Sequence, residues 1–128
     1  TGGTRYLEGA QSFPTTPGAY DSTPPTVDDY SDAFIVRLNP AGNGAADLLY
    51  STLLGTDQAL SPPGIFAHDW GQAIALDGAG AVYVLGFTGS NGFPTTPGAY
   101  LPARNFGNFL AKLRPGGHGA ADLEYATQ

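Results

Sequence analysis

The chain has 128 residues and a net charge of −6, and its five basic residues are too few and too scattered to form a nucleic-acid or anionic-membrane surface. It contains no cysteine, which excludes disulfides and thiolate metal sites, and it lacks the run of about 18 apolar residues that membrane insertion needs. The chain contains 19 glycines and 11 prolines, and 41% of its residues are apolar. This composition predicts an all-β protein that is rich in turns.

The octapeptide Phe-Pro-Thr-Thr-Pro-Gly-Ala-Tyr occupies residues 13–20 and again residues 93–100. An identical match of this length indicates a repeat array. The similarity extends along the chain beyond the octapeptide. The corresponding segments are 32–40 with 107–115, 44–50 with 119–125 and, more weakly, 1–4 with 85–88.

The octapeptide itself is typical of a packed loop. Its prolines favour extended residues before them, and its Pro-Gly pair suits the centre of a type II turn. Its aromatic ends can pin the loop to a core, so we predict a structural role on the face where the long loops gather, with a sugar-binding surface as the alternative. The residues of the motif are Phe13, Pro14, Pro17, Gly18 and Tyr20, and Phe93, Pro94, Pro97, Gly98 and Tyr100.

The first long insert, residues 21–31, is acidic and ends at the next predicted strand. Carboxylates on an oxygen-rich loop are the ligands that Ca²⁺ prefers. The order of the acidic residues in this insert does not match the alternating ligands of a calcium-binding loop. The corresponding segment of the second copy has no acidic residue. We therefore predict a solvated acidic loop, with Ca²⁺ as the alternative and no other cofactor. The candidate ligands are Asp28, Asp29 and Asp32.

Each period of the repeat reads as four strands. The first is predicted at 71–77, and the second, at 81–88, is apolar on both faces, as a buried central strand is. The fourth is predicted at 48–54 and again at 123–127. The third carries Phe34, Val36 and Leu38 on one face in the first copy, and Phe109, Ala111 and Leu113 in the second.

A second candidate site is the cluster His68-Asp69-Trp70. A histidine beside an aspartate is a feature of catalytic triads. The nearest serine, Ser61, lies in Ser-Pro-Pro-Gly and not in a nucleophile context, so we predict an exposed His68, a packed Trp70 and no enzymatic activity. Asp69 and Trp70 stay candidates for ligand binding. His118 is predicted at the opposite end of the blade, which argues against a transition-metal site.

The whole pattern resembles the bacterial β-propeller repeat known as SBBP. The residues that carry the resemblance are Gly-x-Ala-Ile-Ala-Leu-Asp to Gly-x-Thr at 71–88, the octapeptide at 93–100, Asp-Ala-Phe-Ile-Val-Arg-Leu-Asn-Pro-x-Gly at 32–42, and Leu-x-Tyr-Ser-Thr-x-Leu-Gly at 48–55. The resemblance implies propeller blades of four antiparallel strands, in secreted or surface-attached bacterial proteins, and it implies no catalytic residue.

On this basis residues 1–128 are a partial β-propeller of about one and a half blades. Residues 1–70 are predicted to be a half blade with an interblade loop, and residues 71–128 one complete blade. Such a unit leaves strand edges and an apolar face uncovered. We expect its partners to be other blades of the same or neighbouring chains, in a homo-oligomer or a longer chain.

The function expected from the sequence is that of a non-catalytic structural or adhesive module, located outside the cell or on its surface. One alternative is a module that binds a glycan or Ca²⁺ on the long-loop face. The other is a self-assembling subunit of a ring or filament, since head-to-tail contacts close or propagate.

Overall fold

The described part of the chain forms two antiparallel β-sheets. The computed structural model describes residues 3–5, 13–25, 31–56, 68–104 and 106–128. One sheet has three strands and the other has four, and in each sheet the strands lie side by side in sequence order. This confirms the predicted all-β fold of antiparallel sheets, and the described residues are consistent with one complete four-stranded blade and part of another.

The three-stranded sheet belongs to the first copy of the repeat. Its strands are β1, Gly3–Arg5, β2, Ser31–Leu38, and β3, Leu48–Leu54. β1 pairs with the start of β2 as far as Ala33, and β3 pairs with β2 from Ala33 onward. β3 is therefore the edge strand on the side away from β1.

The four-stranded sheet contains the complete second copy. Its strands are β4, Asp69–Leu76, β5, Val82–Thr88, β6, Gly107–Leu113, and β7, Leu123–Thr127. β4 begins earlier than predicted because Asp69 and Trp70 already pair with the end of β5. β7 is the edge strand that corresponds to β3.

The only helical segments in the described ranges are two short 3₁₀ helices at equivalent places in the repeat. They are Gly44–Asp47, just before β3, and Gly119–Asp122, just before β7. Neither was predicted, because four residues are too few to show a helical period. No helix in the described ranges has the length and apolar character needed to cross a membrane.

The hydrophobic core lies between the two sheets. The partly buried Tyr20 and Leu123 pack against it. Because residues from both sheets form one cluster, the two sheets stack face to face. The buried cluster consists of Ala33, Ile35, Leu54, Val82, Val84, Phe93, Phe109, Ala111, Leu113 and Ala126.

The two copies of the third strand bury opposite faces. In β6 the predicted face is buried, and Leu113 is 0% exposed. In β2 the buried side chains are instead Ala33 and Ile35, and Leu38 on the predicted face is 61% exposed. The reason is that each sheet turns a different face toward the other, so that one face of each sheet is left outside the core.

Candidate functional site

Each octapeptide is fastened to the edge strand of its own sheet. We call residues 13–21 the first clip and residues 93–101 the second clip. In the first, the N–H of Thr16 donates to the Ser51 carbonyl and the N–H of Ser51 donates to Thr16 Oγ1, both at 3.0 Å. The N–H of Leu53 donates to the Asp21 carbonyl, also at 3.0 Å. The clip therefore pairs backbone groups that an edge strand otherwise leaves open.

The second clip makes the same set of bonds to β7. The N–H of Thr96 donates to the Ala126 carbonyl at 3.1 Å, and the N–H of Gln128 donates to the Leu101 carbonyl at 3.4 Å. Both clips contain the predicted type II turn: the N–H of Ala19 donates to the Thr16 carbonyl at 3.0 Å, and Gly18 has φ +73. The clip conformation is thus set within each copy.

The first clip also reaches the second sheet. The N–H of Gly119 donates to the Gly18 carbonyl at 2.9 Å, and a Cβ added to Gly18 would overlap the carbonyl oxygen of Gly117. Both partners lie in the hairpin between β6 and β7, which we predicted at the opposite end from the octapeptide. That prediction is wrong for the turn, because Gly18 lies directly against this hairpin.

A buried carboxylate holds this hairpin in place. Asp122 is 1% exposed and accepts the N–H of Gly117 at 3.0 Å, of His118 at 3.2 Å and of Gly116 at 3.3 Å. The hydroxyl of Tyr50, on the first sheet, interacts with the same carboxylate. Burial acts to raise the pKa of Asp122, but these donors outweigh it and the pKa lies below its usual value. Asp122 therefore stays ionised at the interface.

Tyr50 links the first clip to this carboxylate. Its hydroxyl accepts the N–H of Tyr20 at 3.3 Å, and it is 4% exposed. Burial, together with the charge of Asp122, raises the pKa of Tyr50 to about 12. Sequence reasoning missed both Tyr50 and Asp122. The available signal was their recurrence at equivalent positions, as Tyr125 and Asp47.

The structure brings two of the predicted acidic residues together between the sheets. Asp69 is 1% exposed; it accepts the N–H of Thr56 at 3.0 Å and the hydroxyl of Ser90 at 3.2 Å. Burial raises the pKa of Asp69 even though these bonds act to lower it. Asp28 and Asp29 lie outside the described residues.

Asp32, the second of these acidic residues, lies on β2 and is also buried, with 6% exposure. The prediction of a solvated acidic loop is therefore wrong for this residue. Burial raises its pKa to about 8, assisted by the charges of Asp69 and Asp21. Asp32 therefore holds a proton at neutral pH. Within the described ranges, no three acidic or histidine side chains are grouped as a metal site requires.

His68 and Trp70 exchange their predicted environments. His68 is half-buried and its Nδ1 lies 3.1 Å from the hydroxyl of Ser31, whereas Trp70 is 42% exposed. The carboxylate of Asp69 bonds to Thr56 and Ser90, so the sequence neighbours His68 and Asp69 do not form the orienting pair of a triad. The proximity of Ser31 could not be inferred, because 37 residues separate it from His68.

An aromatic stack begins at Trp70 on the outer face of the second sheet. The Trp70 ring lies 5.2 Å from the His68 ring and 6.0 Å from the Phe87 ring, centroid to centroid, and both pairs are stacked. The stack leaves part of the indole open to solvent. Such a surface suits the apolar face of a sugar ring as well as the side chains of a packing partner.

Residues 49–94 match a family model described as SBBP, beta-propeller repeat. The match runs from β3 through β4 and β5 to the start of the second clip, and it confirms the resemblance seen in the sequence. Neither a curated protein nor a solved structure matches the chain.

Proposed function

Because residues 49–94 are an SBBP β-propeller repeat, we propose that the chain is a non-catalytic structural or adhesive propeller module of a secreted or surface-attached bacterial protein. The observation that carries the proposal is the way the two copies stack. A shared apolar core and the first clip join them.

The faces left outside the core support the same role. On the second sheet Leu85 is 47% exposed and Leu110 is 39% exposed, and on the first sheet Leu38 is 61% exposed. Apolar side chains on opposite outer faces are typical of repeat units that gain stability from their neighbours. The partners we propose are therefore further blades, from the same chain or from neighbouring chains.

The surface location is tested on intact cells of the bacterium that makes the parent protein. An antibody against this module is expected to label those cells, and brief treatment with an external protease is expected to remove the label. A cytoplasmic enzyme detected in parallel controls for lysis. Labelling that appears only after lysis contradicts the location.

The absence of catalysis is tested with the purified parent protein on panels of glycans and peptides. We expect no turnover. Turnover that is lost in His68→Ala or Ser31→Ala, and kept in the exposed control Gln72→Ala, contradicts the proposal, because the first two residues form the one Ser–His contact in the described ranges.

A second candidate function is glycan binding at Trp70, favoured by its exposed, stacked ring. Trp70 is the only tryptophan, so its fluorescence reports on this site alone. A glycan that binds there should change the emission, lose affinity in Trp70→Ala and keep it in the control Phe106→Ala, which removes an exposed aromatic elsewhere. A silent glycan array removes this candidate.

Ca²⁺ binding is a further form of this alternative, with Asp32 and Asp69 as its described carboxylates. Calorimetry with CaCl₂ tests it directly, and Asp32→Asn should abolish any heat of binding. No heat in the unmodified chain rules Ca²⁺ out.

A further inference from the structure

One half of the internal interface is repeated on the outer face of the second sheet. Ile35 is 3% exposed in the interface, but its equivalent Leu110 is 39% exposed. Gly18 meets the neighbouring hairpin, but its equivalent Gly98 has nothing within 4 Å of an added Cβ. The outer face of the second sheet and the turn of the second clip therefore carry the equivalents of the residues that contact the neighbouring sheet in the first copy. In the described ranges no partner lies against these equivalents.

The other half is repeated on the outer face of the first sheet. Leu38 is the equivalent of the buried Leu113 and is 61% exposed. Asp47 is the equivalent of Asp122, and its Oδ2 accepts the N–H of Gly42 at 2.8 Å and of Asn43 at 2.9 Å. Its Oδ1 is buried and has no hydrogen-bond partner among the described residues. Asp122 meets a tyrosine hydroxyl from the adjacent sheet, and Asp47 has no such donor in the described ranges.

We infer that these two faces bind each other between copies of the chain, head to tail, with the Tyr125 hydroxyl of one copy donating to Asp47 of the next. The geometry is that of the internal interface, where the N–H of Gly119 donates to the Gly18 carbonyl at 2.9 Å and the N–H of Tyr20 donates to the Tyr50 hydroxyl at 3.3 Å. In the same pairing the Gly98 carbonyl accepts the N–H of Gly44, as the Gly18 carbonyl accepts that of Gly119.

The occupant is a second copy of this chain because the chain carries both complementary halves. The Tyr125 hydroxyl already accepts the N–H of Tyr100 at 3.0 Å, as Tyr50 accepts that of Tyr20, so it is oriented as Tyr50 is. The apolar surfaces around the pair provide the attraction, and the two polar contacts fix the register. The two faces differ, so the contact is heterologous and leads to a closed ring or an open filament.

This inference rests on the structural part of the proposed function and names its partner. Analytical ultracentrifugation of the full chain over a concentration series tests it. We expect reversible self-association, weakened about tenfold or more by Gly98→Asn, since about 1.4 kcal/mol of lost contact corresponds to tenfold. Asparagine is chosen because it tolerates the positive φ of +78 at this position.

The matched control is Gly80→Asn. Gly80 has φ +84, nothing lies within 4 Å of its added Cβ, and it lies in the hairpin between β4 and β5. It carries the same backbone strain outside the proposed contact, so its self-association should equal that of the unmodified chain. Circular dichroism verifies that both variants are folded.

A double-mutant cycle between Tyr125→Phe and Asp47→Asn identifies the contact itself. Each change should weaken association severalfold, and the double variant should be no weaker than the worse single variant. This cycle also tests the proposed contact between copies if the Gly98→Asn variant fails to fold.

A chain that stays monomeric up to about 1 mM, an association too weak for a specific contact, overturns the inference and leaves the faces to further repeats of a longer chain. So do independent effects of Tyr125→Phe and Asp47→Asn. Neither result affects the structural role, which the surface-labelling and turnover experiments test separately.

Discussion

The two clips have identical octapeptides and equivalent hydrogen bonds to their own edge strands, yet among the described residues only the turn of the first clip is bonded to the other sheet. Tyr20 is half-buried, and burial with the charge of Asp21 raises its pKa to about 12. Tyr100, at the same place in the repeat, is 84% exposed. The conformation of a clip is therefore determined by its own copy of the repeat, and its burial by the neighbour.

The largest expected effect concerns Asp32, whose equivalent in the second copy is Gly107. The pKa of Asp32 is raised from 3.8 to about 8 in the folded protein. A raised folded pKa means that the folded state binds the proton more tightly, so stability is full below about pH 4 and falls as the pH rises toward 8. The loss amounts to at most about 6 kcal/mol, since each pKa unit corresponds to about 1.4 kcal/mol.

Asp32→Asn should remove most of this pH dependence, which urea denaturation at pH 4.5 and pH 8 measures. Part of it should persist, because the pKa of Asp69 is raised by burial as well. Asp77→Asn is the control: the pKa of this exposed carboxyl is lowered, chiefly by the N–H of Ala81, so its contribution has the opposite sign. An unchanged slope in Asp32→Asn contradicts the assignment.

The next effect compares the first aromatic residue of each clip. Phe93 is 0% exposed and its ring lies 4.1 Å from that of Phe109, so Phe93→Ala should cost about 3–5 kcal/mol of unfolding free energy. Phe13 is only half-buried, with its ring 4.9 Å from that of Phe34, and Phe13→Ala should cost clearly less. Equal losses in urea denaturation would mean that the outer face of the first sheet is covered after all.

Alanine substitutions in the turns of the two clips separate the cost of backbone strain from the cost of losing the contact with the neighbouring sheet. Gly18→Ala and Gly98→Ala both place a side chain at positive φ, which costs about 1–2 kcal/mol. Only Gly18→Ala also overlaps the hairpin of the second sheet, so its melting temperature should fall further. If Gly98→Ala is equally destabilising, the second clip has a contact that the isolated chain does not show.

The smallest effect is that of removing one hydroxyl. Tyr50→Phe loses the contact with Asp122 as well as the acceptor for the Tyr20 N–H, and should cost about 1 kcal/mol. Tyr125→Phe loses only the acceptor for the Tyr100 N–H in an isolated chain, and should cost about half as much. Thermal unfolding at a concentration where the chain is monomeric compares them. A reversed order would refute the role given to Tyr50.

Strand positions and turn chemistry were open to prediction from the sequence because they are local. The fourth strand is predicted at 48–54 and found at Leu48–Leu54, and the Pro-Gly turn is where its residues require it. The buried face of β2 could not be predicted, because Ala33, Phe34 and Ile35 are apolar on both faces and only the neighbouring sheet selects one.

The polar sites between the sheets were harder to foresee for a related reason. The position of Asp32 at the end of an acidic insert predicts exposure to solvent. Its burial depends on the second sheet, which brings Asp69 close enough for its charge to act on Asp32. Ser31 and His68 meet only because two strands from different copies run together. The sequence shows that these residues are present, but it does not show which of them are close together in the folded chain.

The hydrogen bonds between each clip and its edge strand also affect how readily the protein aggregates. An open strand edge is where chains add to one another in amyloid-like aggregates. With the amides of Ser51 and Leu53 already bonded, a new strand can attach only after the clip detaches. Slow hydrogen exchange at these two amides would therefore report on the opening step that precedes aggregation, and substitutions at Thr16 would shorten the lag before fibres form.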